Sequence, residues 1–250
     1  MTLPPAVRLL GLPVHPVTLH QAVLAVERVI AAGQRTRAMR HLALNAAKVV
    51  ACADDPSLRA AVDKAELVTA DGVGVLLLAR RLGVHLPGRV TGIDLMEALC
   101  ARAALRRWPI YLLGARPGVA SAAASALRER YPQLPIAGCQ HGYFPEAEAP
   151  EVADRVRQSG ARLLFVGMNT PRKERFVEEQ ADRAGVDFAM GVGGALDVLA
   201  GRVRRAPLLL QGAGLEWAWR WAQEPRRLFP RYGVDGVRFL SRLAAARPIP

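Results

Sequence analysis

Residues 68–75 read VTADGVGV, with one carboxylate, Asp71, set between an apolar run and two glycines. A carboxylate there can act as a general base if burial or neighbouring charge brings its proton affinity toward the working pH. As a bare pattern it is equally an Asx turn or a helix cap. Other polar or glycine positions close comparable apolar runs: Asn45 after RHLAL, Gly114 after PIYLL, Gly167 to Asn169 after RLLFV, and Gly191 to Gly194 after FAM. Asp197 stands inside the apolar segment ALDVLA, where a buried carboxylate would need a partner. Taken alone, Arg89 is an ordinary surface or ion-paired arginine, and Asn45 a plausible helix cap.

None of the glycine turns is specific in isolation. GVGVLL after Asp71 lacks the third glycine of a dinucleotide fingerprint, and GARPG lacks the Lys-Ser/Thr ending of a phosphate-binding loop. No D-x-D pair is present, so no metal is expected, and a bound diphosphate would have to be met by arginines and helix N-termini. The histidines show no H-x-x-x-H pairing and read as surface or satisfied core residues. Cys52, Cys100 and Cys139 are far apart, the usage of buried reduced thiols.

The elements that must position these residues alternate. RHLALN precedes AAKVVACAD, ELVTAD precedes VGVLLLARRLG, PIYLLG precedes VASAAASALRER, and RLLFVG precedes KERFVEEQADRA. This β/α alternation predicts a mainly parallel, Rossmann-like sheet with helices on both faces, extended by LPIAGCQ and VDFAMGVG. Ligands of such sheets bind beyond the carboxyl ends of the strands, where Asp71, Asn45 and the glycine turns fall. HGYFPEAEAP reads as a short acidic loop. After residue 206 the chain changes character, with Trp217, Trp219 and Trp221 followed by Arg226, Arg227, Arg231, Arg238, Arg242 and Arg247. We therefore expect an α/β catalytic domain over 1–206 and a basic, Trp/Arg-rich helical appendage over 207–250. On one helix Trp217 and Trp221 share a face and Trp219 points away.

The 250 residues are 51% hydrophobic and 22% charged, the balance of a folded chain. No apolar run approaches the roughly 18–20 residues that span a bilayer. The first residues lack a charged segment followed by an apolar block, so a cytoplasmic location is expected. The net charge is +12, and of 34 basic residues only Lys48, Lys64 and Lys173 are lysines. Such a balance suits nucleic acid, an anionic membrane surface or phosphorylated substrates. A nucleic-acid-binding role has no recognised motif behind it, and a nucleotide-dependent oxidoreductase lacks its fingerprint.

Taken in order, Asn45, Asp71, Arg89 within GRVTGIDL, PRKE at 171–174, GVGGALDVLAGRVRRAP and GLEWAWRWAQEPRRLFPRY resemble the WecG/TagA/CpsF family of bacterial glycosyltransferases. The resemblance implies an inverting, metal-independent transferase that needs no cofactor. It would move N-acetylmannosamine, its uronic acid or glucose from a UDP-sugar to a polyprenyl-diphosphate-linked acceptor in cell-surface polysaccharide assembly. It implies Asp71 as general base, Asn45 in the substrate pocket, Arg89 near phosphates, Asp197 at the uracil, and Gly193 and Gly194 under the nucleotide. Gly114, Tyr143 and Lys173 complete the pocket, and Arg220, Arg227 and Arg231 would reach over it from the tail.

Two positions depart from the family pattern. Ala43 stands where a threonine is common, and Lys173 where a glutamine is common; a lysine there would suit an acidic donor or an extra phosphate contact. The tail arginines and aromatics also suit a peripheral helix on anionic lipid at the inner face of the cytoplasmic membrane. A homo-oligomer is compatible with all of this, and nucleic acid is not an expected partner.

Overall fold

The computed structural model describes residues 3–33 and 37–247, so residues 248–250 of the expected appendage lie outside the described residues. The chain opens with a two-stranded hairpin, β1 (Val7–Leu9) and β2 (Leu12–Val14). Leu10 and Gly11 turn it with left-handed φ angles of 49° and 79°, the hand that two-residue hairpin turns require. The sequence reading contained no such hairpin. It lies beside the main sheet, where the backbone N–H of His15 donates to the carbonyl of Val68 at 2.8 Å.

The main sheet has six strands, all parallel: β3 (Met39–Leu44), β4 (Leu67–Ala70), β5 (Ile110–Gly114), β6 (Ile136–Gln140), β7 (Leu163–Gly167) and β8 (Phe188–Gly191). Their spatial order is β4-β3-β8-β7-β5-β6. The central strands β5, β7 and β8 are buried along their whole length, which is why they read as unbroken apolar runs rather than alternating ones. One face is covered by α1 (Leu19–Ala32), α5 (Gly92–Arg106), α6 (Val119–Arg130) and the short α9 (Ala195–Leu199). The other face is covered by α2 (Ala46–Asp54), α3 (Pro56–Lys64), α4 (Val73–Arg81), α7 (Ala149–Gln158) and α8 (Arg172–Gln180). This is the expected Rossmann-like α/β arrangement.

Local chemistry fixes the helix starts. Thr18 and Gln21 form a reciprocal capping box on α1, and Thr91 caps α5 by accepting from the N–H of Asp94. The TGIDL motif is therefore a helix start. HGYFPEAEAP is only partly a loop, because Glu146–Glu148 form a 3-10 turn that runs directly into α7, with Pro150 in its first turn. Cys52 and Cys100 are buried, but Cys139 is exposed, which corrects the expectation of three buried thiols. The cause is position: Cys139 lies on β6, the sheet's edge strand, which is covered less fully than the centre.

Beyond Ala206 come α10 (Leu208–Gly212), α11 (Glu216–Gln223), α12 (Pro225–Phe229), a π-helical turn (Pro230–Val234) and α13 (Asp235–Ala245). The ring of Phe239 is buried against the main body, close to Gly74 of α4 and Ala46 of α2. Arg238 pairs with Asp54 at 2.7 Å, and Arg81 donates to the carbonyl of Ala246 at 3.1 Å. These contacts bring the tail back over the carboxyl ends of β3 and β4.

Candidate active site

Asp71 directly follows β4, and its backbone N–H continues the ladder by donating to the carbonyl of Leu44 at 2.7 Å. The adjacent α4 is capped by Gly72, whose φ of 92° favours glycine, with no side-chain cap. Asp71 is thus not a cap. Its carboxylate is instead hydrogen-bonded by the side chain of Asn45. Asn45 does cap a helix, its Oδ1 accepting from the N–H of Lys48 at 3.0 Å, which leaves its amide to donate to Asp71. One asparagine thus starts α2 and orients the carboxylate.

Asp71 keeps some surface open to solvent while protein surrounds it densely. Burial raises its pKa and is the largest influence; Arg231 and Lys48 oppose it, Glu216 reinforces it, and the Asn45 hydrogen bond opposes it again. The net displacement is upward, the direction a general base needs.

Beneath Asp71 lies a buried ionic cluster. Glu174 has no exposed surface, and its Oε1 receives Lys48 Nζ at 2.9 Å and Lys173 Nζ at 2.7 Å. Lys48 Nζ also donates to the carbonyl of Ala43 at 2.6 Å, and Lys173 Nζ to the hydroxyl of Thr170. Burial alone would raise the pKa of Glu174, but the two ammonium groups outweigh it and bring it to about 2. Burial lowers Lys173 to about 8, against the pull of Glu174, with Lys48 and Arg231 adding to the fall. Lys173 therefore lies in the site region with its cation tied to Glu174 and Thr170. A stem packed on Gly191 keeps it at the end of β8, since a Cβ there would come within 3.2 Å of Lys173 Cδ.

The glycine turns separate into two kinds. Gly114 has a φ of 138°, and a Cβ on it would overlap the backbone of Gly167, so it permits two strand ends to approach rather than facing a ligand. Gly193, with a φ of 54°, opens onto free space, while a Cβ on Gly194 would overlap the guanidinium of Arg220. Arg220, from α11, thus lies over the glycine turn that follows β8. Arg227 interacts electrostatically with Asp197 and Tyr143, although its hydrogen bonds go to Glu224, at 2.7 Å from Nε and again through Nη2. Tyr143 is 62% exposed. Asp197 proves half-exposed rather than buried, because α9 is a short helix at the sheet's rim, so a core partner is not required.

Arg89 is brought to the rim by Val90, whose N–H donates to the carbonyl of Ala70 at 2.8 Å. Its guanidinium is paired with Glu216, and its Nη2 donates to the carbonyl of Gln211 at 2.7 Å. It fastens the tail to the body. Arg205 works beside it, bonded to Asp94 and lying 3.4 Å from Glu97. The aromatic residues of α11 behave as their spacing predicts. Trp217 and Trp221 stack at 6.4 Å and both contact Tyr232, while Trp219 on the other side donates to the carbonyl of Arg204 at 3.1 Å. Tyr232 carries Arg231 over its ring, 5.5 Å from the centroid.

Sequence reading did not single out Lys48, Glu174, Thr170 or Glu216. For Lys48 a signal existed: in a chain that strongly prefers arginine, a lysine inside AAKVVACAD marks a place where a compact ammonium on a thin stem is needed. Among the described residues no group of three or more His, Cys, Asp or Glu is placed to hold a metal ion. A cavity beside Arg172, Arg175 and Phe176 contains none of the expected site residues. Residues 7–249 match the family model described as Glycosyl transferase WecG/TagA/CpsF family.

Proposed function

The chain belongs to the WecG/TagA/CpsF family of glycosyltransferases, and on that premise we propose that it transfers a hexose-type sugar from a UDP-sugar to a polyprenyl-diphosphate-linked acceptor. The observation that carries the reading is Asp71 itself: a carboxylate of raised pKa, held by Asn45 at the strand-end rim, with Arg231 facing it from the tail. In the reaction Asp71 takes the proton from the acceptor hydroxyl. That oxygen bonds to the anomeric carbon of the donor. The bond from this carbon to the diphosphate oxygen breaks, and UDP leaves with the electron pair. Single displacement inverts the anomeric configuration. Arg231 and Arg220 are suited to the growing charge on the leaving diphosphate, as bidentate donors. Asp197, with Tyr143 and Arg227 beside it, suits the nucleoside end, where a carboxylate can accept from the uracil N3–H.

The tail also supports a peripheral place on anionic lipid. Leu208 and Leu209 are 82% and 87% exposed, Phe229, Val237 and Leu240 are exposed as well, and Arg226, Arg238 and Arg242 lie among them. No helix among the described residues is long and apolar enough to cross a membrane. The test is to incubate the chain with UDP-N-acetylmannosamine, its uronic acid or UDP-glucose and a lipid-linked acceptor, following UDP release and the lipid product by mass spectrometry. Product carrying one added sugar, with equimolar UDP, is expected. UDP-sugar hydrolysis alone, or no turnover with any of the three donors, would contradict the reading.

A further inference from the structure

The mechanism above assigns no task to the buried cluster of Lys48, Lys173 and Glu174, and its charges do not balance on their own. Two ammonium groups share one carboxylate, and both reach the same oxygen, Glu174 Oε1, at 2.9 and 2.7 Å. An uncompensated buried cation is costly, so a second anion is expected within reach. The groups facing Asp71 are Lys48 from α2, Arg231 from the π-helical turn and Glu216 from α11, together with the amide of Asn45. Lys48 for its part faces Glu174, Lys173, the neutral His41 and Cys52.

Resting on the general-base reading of Asp71, we propose that Lys48 is a positioning residue of the transfer reaction, the buried cation whose surplus charge keeps Asp71 ionised and ready to accept the acceptor's proton. The geometry supports this at both ends of the lysine. Its backbone N–H holds Asn45 Oδ1 at 3.0 Å, which turns the Asn45 amide toward Asp71. Its Nζ is anchored by the carbonyl of Ala43 at 2.6 Å and by Glu174. With Asp71 ionised, its charge and that of Glu174 together match the two buried lysines, Lys48 being the one that faces both carboxylates. As Asp71 takes the proton, its charge is lost and the lysine surplus is restored.

The test reads Asp71 directly. In protein labelled with 13C at aspartate, the carboxyl signal missing from Asp71→Asn identifies Asp71, and its pH titration gives its proton affinity without any activity assay. Lys48→Met is expected to raise the midpoint by about one pH unit, a tenfold change in proton affinity, since a nearby cation lowers a carboxyl pKa by about 1–3 units. Lys48→Arg retains the charge and should restore most of the shift. Glu174→Gln keeps an oxygen for the lysines while removing the negative charge, so it should move the midpoint the opposite way; this variant decides the matter if Lys48→Met does not fold. The acidic limb of kcat/KM should follow each titration. An Asp71 midpoint that moves by less than about 0.3 unit in the folded variants, or in the same direction in both, overturns the proposal. Opposite shifts without any sugar transfer would leave the electrostatic role standing and reject the transferase reading instead.

Discussion

Single residues carry the chemistry, and the clearest lesson is that one polar side chain can hold two jobs. Asn45 reads in the sequence as a helix cap or a pocket residue, and it is the cap of α2 while also bonding Asp71. Asp71, equally a turn residue on pattern alone, leaves the capping position to Gly72. Lys48 and Glu174 were not legible as a pair, because partners 126 positions apart meet only when α8 packs against β3. His41 adds a pH dependence of stability. Its Nε2 lies 2.9 Å from the Thr69 hydroxyl, which itself donates to the carbonyl of Val90, and burial, Lys48 and His15 together lower its pKa to about 3. The unfolded chain takes up this proton near pH 6.5 and the folded chain only near 3, so falling pH favours unfolding across that interval. At pH 5 the lost stability is about 2 kcal/mol. Replacing His41 by Gln should flatten the dependence of urea midpoint on pH between 6.5 and 3, whatever it does to stability at pH 7. An unchanged slope would assign the acid sensitivity elsewhere. At the glycine turn, Gly194→Ala should displace Arg220 and lower turnover about 100-fold, the loss of one preformed charge contact, with a melting temperature close to that of the parent.

Among the elements, the strands and their order of appearance were legible because parallel strands buried on both faces are unbroken apolar runs, as LLFVG and IYLLG are. The hairpin β1–β2 was not, since three-residue strands carry too little periodicity to read. Whether Asp197 would be buried could not be read for the same kind of reason. A five-residue helix at the rim gives its apolar residues only partial cover, and sequence reports hydropathy rather than depth. The tail shows how packing away from a site can hold the residues that reach it. Trp217, Trp221 and Tyr232 brace the π-helical turn that bears Arg231, and Phe239 fastens α13 to the body. Phe239→Ala should cost about 3 kcal/mol of the tail's docking and reduce turnover by loosening Arg231, measured by limited proteolysis beyond residue 206 together with kcat. Leu105, 78% exposed, serves as the control, since its replacement by Ala should leave both readouts unaltered. Equal effects of the two substitutions would show that the docking of α13 is not what matters.

At the scale of the whole molecule, the parallel sheet brings Asn45, Asp71, Lys173 and the Gly193–Gly194 turn to the carboxyl ends of its strands, and the helices beyond Ala206 fold back over those ends. The Arg89–Glu216 pair, with the Gln211 carbonyl, ties the two regions together, so the guanidinium expected near phosphates is bonded to the tail. The net charge of +12 makes a surface prediction: the chain should sediment with phosphatidylglycerol vesicles at low salt and be released as salt rises, and replacing both Leu208 and Leu209 by Asp should weaken that binding. Binding unaffected by either change would remove the tail from the membrane. Activation of the acceptor is the step that depends most on Asp71. The decisive measurement compares UDP affinity and turnover in Asp71→Asn with the parent: unchanged UDP binding with turnover lower by about 10²–10⁴-fold is predicted, and turnover within a few-fold of the parent would contradict it.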